Sequence, residues 1–186
     1  NFWRVENTPP EVNGPAAGQK PGEKGWYRSN VEIRVETEDT GSGLKQAVGW
    51  ITTQSGQDYS LDGSISGEDA KGTMAEPNYV ATPSQAERVE TYEWTDTLSM
   101  EGEDLRFTFL AEDNAKSVTT VEQTYSLDKT IPAISQITGV PEQFVNQPQP
   151  VTFIMEDGLS GIDPDSVRVL KDGTERMSVT TELIEG

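Results

Sequence analysis

Val31-Glu32-Ile33-Arg34-Val35-Glu36-Thr37-Glu38-Asp39-Thr40-Gly41-Ser42-Gly43-Leu44 is the stretch whose reading decides the fold. Val31, Ile33 and Val35 alternate with Glu32, Arg34 and Glu36, a period of two that puts one apolar and one charged face on a β-strand. Asp39 to Gly43 then supplies turn residues, and Leu44 opens the next apolar segment. A similar sentence is spoken again at Val151–Glu156, which runs into Asp157-Gly158-Leu159-Ser160-Gly161-Ile162. An alternating strand that ends in acid, then Asp and Ser-Gly or Leu-Ser-Gly, then an apolar residue, occurs in both halves. Such a repeat implies tandem units of like build.

Working outward, the same alternation marks Leu105–Ala111, with Leu105, Phe107, Phe109 and Ala111 on one side. Val118–Leu127 reads as a long Thr-rich strand. Leu44–Thr52 carries Trp50, and Val89–Leu98 carries Tyr92 and Trp94. No segment shows a capped helical period, so the fold class is all-β. Two segments look like the openings of modules, Asn7-Thr8-Pro9-Pro10-Glu11-Val12 and Ser126-Leu127-Asp128-Lys129-Thr130-Ile131-Pro132. Each combines a polar residue, Thr and Pro before an apolar strand start. Proline cannot donate to a ladder and suits the approach to an edge strand. The expected division is residues 1–128, with a long insertion at 53–88, and residues 129–186. The second piece has room for four strands, at Ala133–Thr138, Val151–Glu156, Ser166–Leu170 and Met177–Ile184. That number leaves one sheet of a sandwich open, so the natural chain is expected to continue past Gly186 or to pair with another chain.

The 186 residues carry 14 basic and 32 acidic side chains, a formal charge of −18, and 33% of them are apolar. Such acidity repels nucleic acid and anionic membranes, and it admits divalent cations. No apolar run approaches the roughly 20 residues of a membrane span. Asn1 to Glu6 lacks the features of a signal peptide, so none is expected in this stretch. Cysteine and histidine are both absent. That removes disulfides, thiolate and imidazole zinc sites, and Ser–His or Cys–His nucleophile pairs. Nothing in the sequence supplies the cleft and spacing that paired catalytic carboxylates need. No catalytic residue is assigned, and no enzyme activity is expected.

With the junction and the repeat in hand, the chain resembles the tandem bacterial immunoglobulin-like domains of large cell-surface proteins. Asp128-Lys129-Thr130-Ile131-Pro132 is similar to the Asp-x-Thr-x-Pro linkers of that family. Ala111-Glu112-Asp113-Asn114-Ala115 resembles its turn before the last strand, and Tyr59-Ser60-Leu61-Asp62-Gly63 its Tyr-x-Leu-Asp-Gly hairpin. Trp26 to Leu44 fits as a tryptophan, a strand and Asp39 through Gly43. The stretch Thr53–Arg88 departs from the family by its length and polarity. The resemblance implies an antiparallel immunoglobulin-like β-sandwich followed by a second, partial module of the same kind. It further implies an extracellular, cell-wall-associated location and a structural or adhesive spacer role, with neighbouring modules of the same chain as partners. A module that binds glycan or a host protein, and an accessory domain of an extracellular hydrolase, are the alternatives. Fold alone does not choose among them.

Three groups of residues are candidate sites. Asp58, Ser60, Asp62, Gly63, Ser64, Ser66 and Asp69 stand at positions 1, 3, 5, 6, 7, 9 and 12 of a calcium-loop pattern, although position 12 is Asp and no flanking helices are evident. The same residues read equally as a strand ending in a hairpin turn. Asp39 and Asp113 are expected to face each other where the chain enters the first module. Asp128, Glu156, Asp157 and Asp163 form the corresponding junction set, a second place for calcium. Turn capping through Asx-type hydrogen bonds explains the same carboxylates without a metal. Trp26 and Tyr27 are the candidate ligand platform, because paired aromatics suit sugar stacking. Trp50 and Trp94 are assigned to the core or its margin.

Overall fold

The computed structural model describes residues 5–61, 72–73, 91–147, 149–171 and 173–175. The chain forms two compact units, Asn1–Lys129 and Thr130–Gly186. The fold is all-β, with only short 3-10 turns besides strands among the described residues.

In the first unit the alternating segment becomes the centre of a three-stranded antiparallel sheet. Strand β3 (Val31–Glu38) lies between β1 (Glu11–Ala17) and β7 (Thr91–Leu98). Its burial alternates without a break, Val31, Ile33, Val35 and Thr37 inward, Glu32, Arg34, Glu36 and Glu38 outward. The second sheet runs β2 (Trp26–Tyr27), β9 (Val118–Leu127), β8 (Gly102–Asp113), β4 (Leu44–Thr52) and β5 (Asp58–Tyr59), and β6 (Gly72–Thr73) also pairs with β4. All its pairings are antiparallel except that of β2 with β9, which is parallel.

The two sheets share one apolar core. Val31, Ile33, Val35, Trp94 and Leu98 from the smaller sheet pack with Ala47, Ile51, Leu105, Phe107, Phe109, Ala111, Tyr125 and Leu127 from the larger. Trp94 makes the closest aromatic link across the gap. Its ring centroid lies 5.5 Å from Phe107 and 5.6 Å from Phe109, tilted to one and edge-on to the other. Offset and edge-on pairs are the favoured arrangements for rings that are negative on the face and positive at the rim. A Cβ at position 49 would stand 2.6 Å from the Trp94 ring, so only glycine lets the indole reach the β4 backbone. Trp50 is half-buried and, one residue from the inward Ile51, takes the opposite face of β4. The expectation of a core or core-margin role is met in full by Trp94 alone.

In the second unit β10 (Ala133–Thr138) pairs antiparallel with β11 (Thr152–Glu156), and β12 (Leu170–Lys171) forms a hairpin with β13 (Thr174–Glu175). The strand expected at Ser166–Leu170 is confined to its last residue. Asp163 accepts the N–H of Asp165, Pro164 fixes the first turn position, and Pro164–Ser166 winds into a 3-10 turn instead. The strand expected at Met177–Ile184 lies outside the described residues, as do residues 89 and 90 of the segment around β7.

The two units open alike. Glu11 pairs with Glu38, the residue before Asp39, and Ala133 pairs with Glu156, the residue before Asp157. Each first strand then carries one extra residue, between Asn13 and Ala16 in one unit and between Ile134 and Gln136 in the other. Such bulges raise the local twist and are built-in features of a ladder.

Replacing Trp94 by Ala is expected to cost about 3–5 kcal/mol, because it empties the space between the sheets. Gly49→Ala is expected to cost about 1–3 kcal/mol through overpacking against that ring. Urea unfolding of the two variants beside Trp50→Ala checks the assignment. A Trp50→Ala loss equal to that of Trp94→Ala would show that the wrong tryptophan has been placed at the centre.

Candidate functional site

Consecutive residues of a strand point to opposite faces, and this divides the aromatic pair expected to bind a ligand. Tyr27 faces inward, is buried, and packs its ring 5.9 Å from that of Tyr125. Trp26 faces the other way and is half-buried. The two therefore do not form one exposed platform. What holds them is the parallel pairing Trp26 with Ser126 and Tyr27 with Leu127, extended by the Asp128 N–H donating to the Tyr27 carbonyl at 2.9 Å.

Burial raises the hydroxyl pKa of both tyrosines above the ordinary value of 10.0. Tyr125 is pushed up to about 12, first by burial and then by the neighbouring Tyr27. The Tyr125 hydroxyl is buried with no hydrogen-bond partner. A hydroxyl in that condition lowers stability, since it has left water without replacement.

Of the calcium-loop residues, Asp58 sits on β5, where its Oδ1 accepts the Thr52 hydroxyl at 2.6 Å. That contact closes the turn between β4 and β5. Ser60 follows the strand, and Leu61 is buried while its carbonyl accepts the Ser99 N–H at 3.1 Å. Asp62, Gly63, Ser64, Ser66 and Asp69 lie outside the described residues.

The junction residues divide between the two units. Asp128 ends the first and is buried at 5% exposure. Next to it the Lys129 N–H donates to Glu101 Oε1, and Lys129 Nζ donates to the Ser99 carbonyl at 2.7 Å and to Asn30 Oδ1 at 3.1 Å. In the second unit Glu156 Oε1 accepts the Ser135 hydroxyl at 3.0 Å. Asp157 Oδ1 accepts the N–H groups of Leu159 and Gly161 at 3.1 and 2.9 Å. Asp163 Oδ1 accepts that of Asp165 at 3.1 Å. Asp157 and Asp163 therefore serve local turns, while Glu156 bonds across the β10–β11 ladder. Among the described residues, no group of three or more Asp, Glu, His or Cys side chains comes together in a way that could hold a metal ion.

Asp39 and Asp113 are buried carboxylates of the first unit, at 5% and 0% exposure. Asp39 Oδ1 accepts the Gly43 N–H at 2.7 Å, and Asp113 Oδ1 accepts the Ser117 N–H at 2.7 Å. The same i to i+4 bond recurs at Asp157 with Gly161, so Asp39 and Asp157 hold matching loops after matching strands. The second carboxylate oxygens of Asp113 and of Asp157 are buried without a partner. Sequence reasoning had placed Asp39 and Asp113 at one end of the module but missed their depth. The signal was present: both fall at the parity of the inward residues of their strands.

No family model, curated protein or solved structure matches this chain.

The raised tyrosines fix the sign of the alkaline response. Above pH 10 the unfolded chain releases phenolic protons that the folded chain retains, so stability is full below that value and falls as pH climbs toward 12. Thermal midpoints measured from pH 8 to pH 12 are expected to stay level and then drop. Tyr125→Phe, which removes an unpartnered hydroxyl, is expected to unfold no earlier than the parent at pH 8 and to show a shallower alkaline fall. A marked loss of stability at pH 8 would mean that the hydroxyl has a partner.

Proposed function

We propose that this chain is a spacer of immunoglobulin-like modules from a bacterial cell-surface protein, with a first sandwich at 1–129 and the opening strands of a second at 130–186. The observation that carries the reading is the repeated opening: a bulged first strand, an antiparallel partner ending in Glu, and an Asp that accepts the N–H of a Gly four residues on. Two units with one construction rule suit an array, in which each unit is a copy of its neighbour. The strand order supports the immunoglobulin-like part. A sheet of β1, β3 and β7 faces a sheet of β9, β8 and β4, and a short strand near the start of the unit pairs in parallel with its last strand.

The work of such a module is mechanical. Strand β9 closes the unit and runs parallel to β2, so tension carried by β2 and β9 shears their two residue pairs together instead of opening them singly. The Thr119 hydroxyl adds a tie, donating to the Pro10 carbonyl at 2.6 Å. A formal charge of −18 keeps an extended chain soluble and discourages collapse onto itself. The absence of His and Cys from the sequence leaves adhesion and spacing ahead of catalysis.

Single-molecule extension of the chain, held at its termini, tests this reading. A distinct force peak is expected, releasing the contour length of the first unit at about 3.3–3.6 Å per residue. Extension without a resolvable peak would rule out a load-bearing role. Retention on a glycan array that disappears with Trp26→Ala would replace the spacer reading with a ligand-binding one.

A further inference from the structure

The inward rows of the two sheets in the first unit both end in acid. Along β3 the row runs Val31, Ile33, Val35, Thr37 and then Asp39, and along β8 it runs Leu105, Phe107, Phe109, Ala111 and Asp113. The rows finish at the same end of the sandwich. Asp113 pairs with Leu44, the first residue of β4, and the residue before it, Gly43, is held from both sides. The Gly43 N–H donates to Asp39 Oδ1 at 2.7 Å, and the Gly43 carbonyl accepts the Asn114 N–H at 3.0 Å. The loop capped by the buried Asp39 and the turn capped by the buried Asp113 thus meet at one glycine.

Turn capping accounts for only half of this arrangement. One oxygen suffices to cap, and asparagine caps as well as aspartate. At Asp113 the cap uses Oδ1, while Oδ2 is buried without a hydrogen-bond partner. The ion pairs among the described residues involve Arg34, Lys45 and Arg106, and none includes Asp39 or Asp113. A carboxylate oxygen withdrawn from water and given no donor calls for a cation or an ordered water.

We propose that Asp39 and Asp113 form a site for a divalent cation of the calcium class, with Asp113 Oδ2 as a direct ligand. The chain contains no His or Cys, so every ligand is oxygen, which selects a hard ion over zinc or copper. With two carboxylates instead of three or four, backbone carbonyls and water complete the shell. The affinity belongs to the weak range of extracellular modules, a dissociation constant of about 10⁻⁴ to 10⁻³ M. The net charge of −18 favours accumulation of such an ion near the surface. The site lies within the first unit and does not depend on the spacer reading. An ion there would fasten the Asp39–Gly43 loop to the turn at Asp113.

Amide hydrogen exchange of the whole chain, in calcium and in chelator, tests the proposal at the site itself. With calcium about tenfold above its dissociation constant, exchange at Gly43 and Ser117 through openings that break the site is expected to slow about tenfold. The thermal midpoint is expected to rise in parallel. Asp113→Asn keeps an oxygen for the Ser117 N–H and is expected to abolish both responses, whereas Asp157→Asn in the second unit leaves them intact. Unchanged exchange at Gly43 and Ser117 up to tens of millimolar calcium would overturn the proposal and assign the orphaned oxygen to water. A calcium response that survives both Asp39→Asn and Asp113→Asn would overturn it equally. The exchange measurement uses the unaltered protein and decides the matter even where an Asn variant fails to fold.

Discussion

The Trp94 indole lies over the bare backbone of Gly49, flanked by Phe107 and Phe109, and the rest of the first unit is arranged around that contact. A ring from the smaller sheet reaches an inner strand of the larger one, so the sheets cannot slide without breaking aromatic packing. The side-chain period of a strand is two, and a slip of one residue would turn every inward residue out. Fixing Trp94 inward therefore fixes Thr91–Leu98, and through its ladder fixes Val35 opposite Trp94. On the other side, Gly49 inward makes Ala47 and Ile51 inward, and Phe109 and Phe107 opposite Gly49 and Ile51 follow. The buried aspartates inherit their depth from this chain of parity.

Parity also explains what could be read in advance. At Val31–Glu38 and Leu105–Asp113 apolar and polar residues alternate, and both strands were legible together with their inward faces. In Leu44–Thr52 the run Val48-Gly49-Trp50-Ile51 does not alternate, and the sequence could not say which tryptophan lies inside. The structure buries Val48 and Thr52 on the face opposite Ala47 and Ile51, so both sides of β4 are covered and the usual signal is erased. Strands β2, β5 and β6 are two residues long, below the length at which periodicity exists. Tyr27 was misjudged for the same reason. Its burial is set by β9, which pairs with it from about a hundred residues away in sequence. At Ser166–Leu170 the apolar residues suggested a strand, but Asp163 and Pro164 impose a local turn that wins over pattern.

Acidity in this chain has two separate sources. Glu32, Glu36 and Glu38 are the solvent face of β3, and Arg34 offsets them only in part through exposed contacts with Glu32 and Glu93 at 3.8 and 3.7 Å. Pairs this exposed contribute little, and Glu36 stands directly opposite Glu93, a like-charge pairing that weakens the ladder. The aspartates are different. Asp39, Asp113, Asp157 and Asp163 each give an oxygen to a backbone N–H within the next four residues, which shapes the loop that leaves a strand or opens a turn. The glutamates of β3 set solubility, and these four aspartates set geometry.

The equivalence of the two openings extends from loops to faces. Ile134 pairs with Met155 and Ile137 with Phe153, so these four side chains share one face of the β10–β11 ladder. In the first unit the matching register places Val12 opposite Thr37, on the face that meets the larger sheet. The apolar face of β10 and β11 is therefore of the core-facing kind, yet Ile134 and Ile137 remain 59% and 57% exposed. Burying apolar area at about 25 cal/mol per Å² is what turns a strand pair into a stable sheet, and a two-stranded ladder alone is marginal in water. The bulge and the aspartate loop are made from local bonds and form in both units. The sandwich is made from a facing sheet, and in the first unit it is Trp94, over Gly49, that supplies the contact on which that face closes.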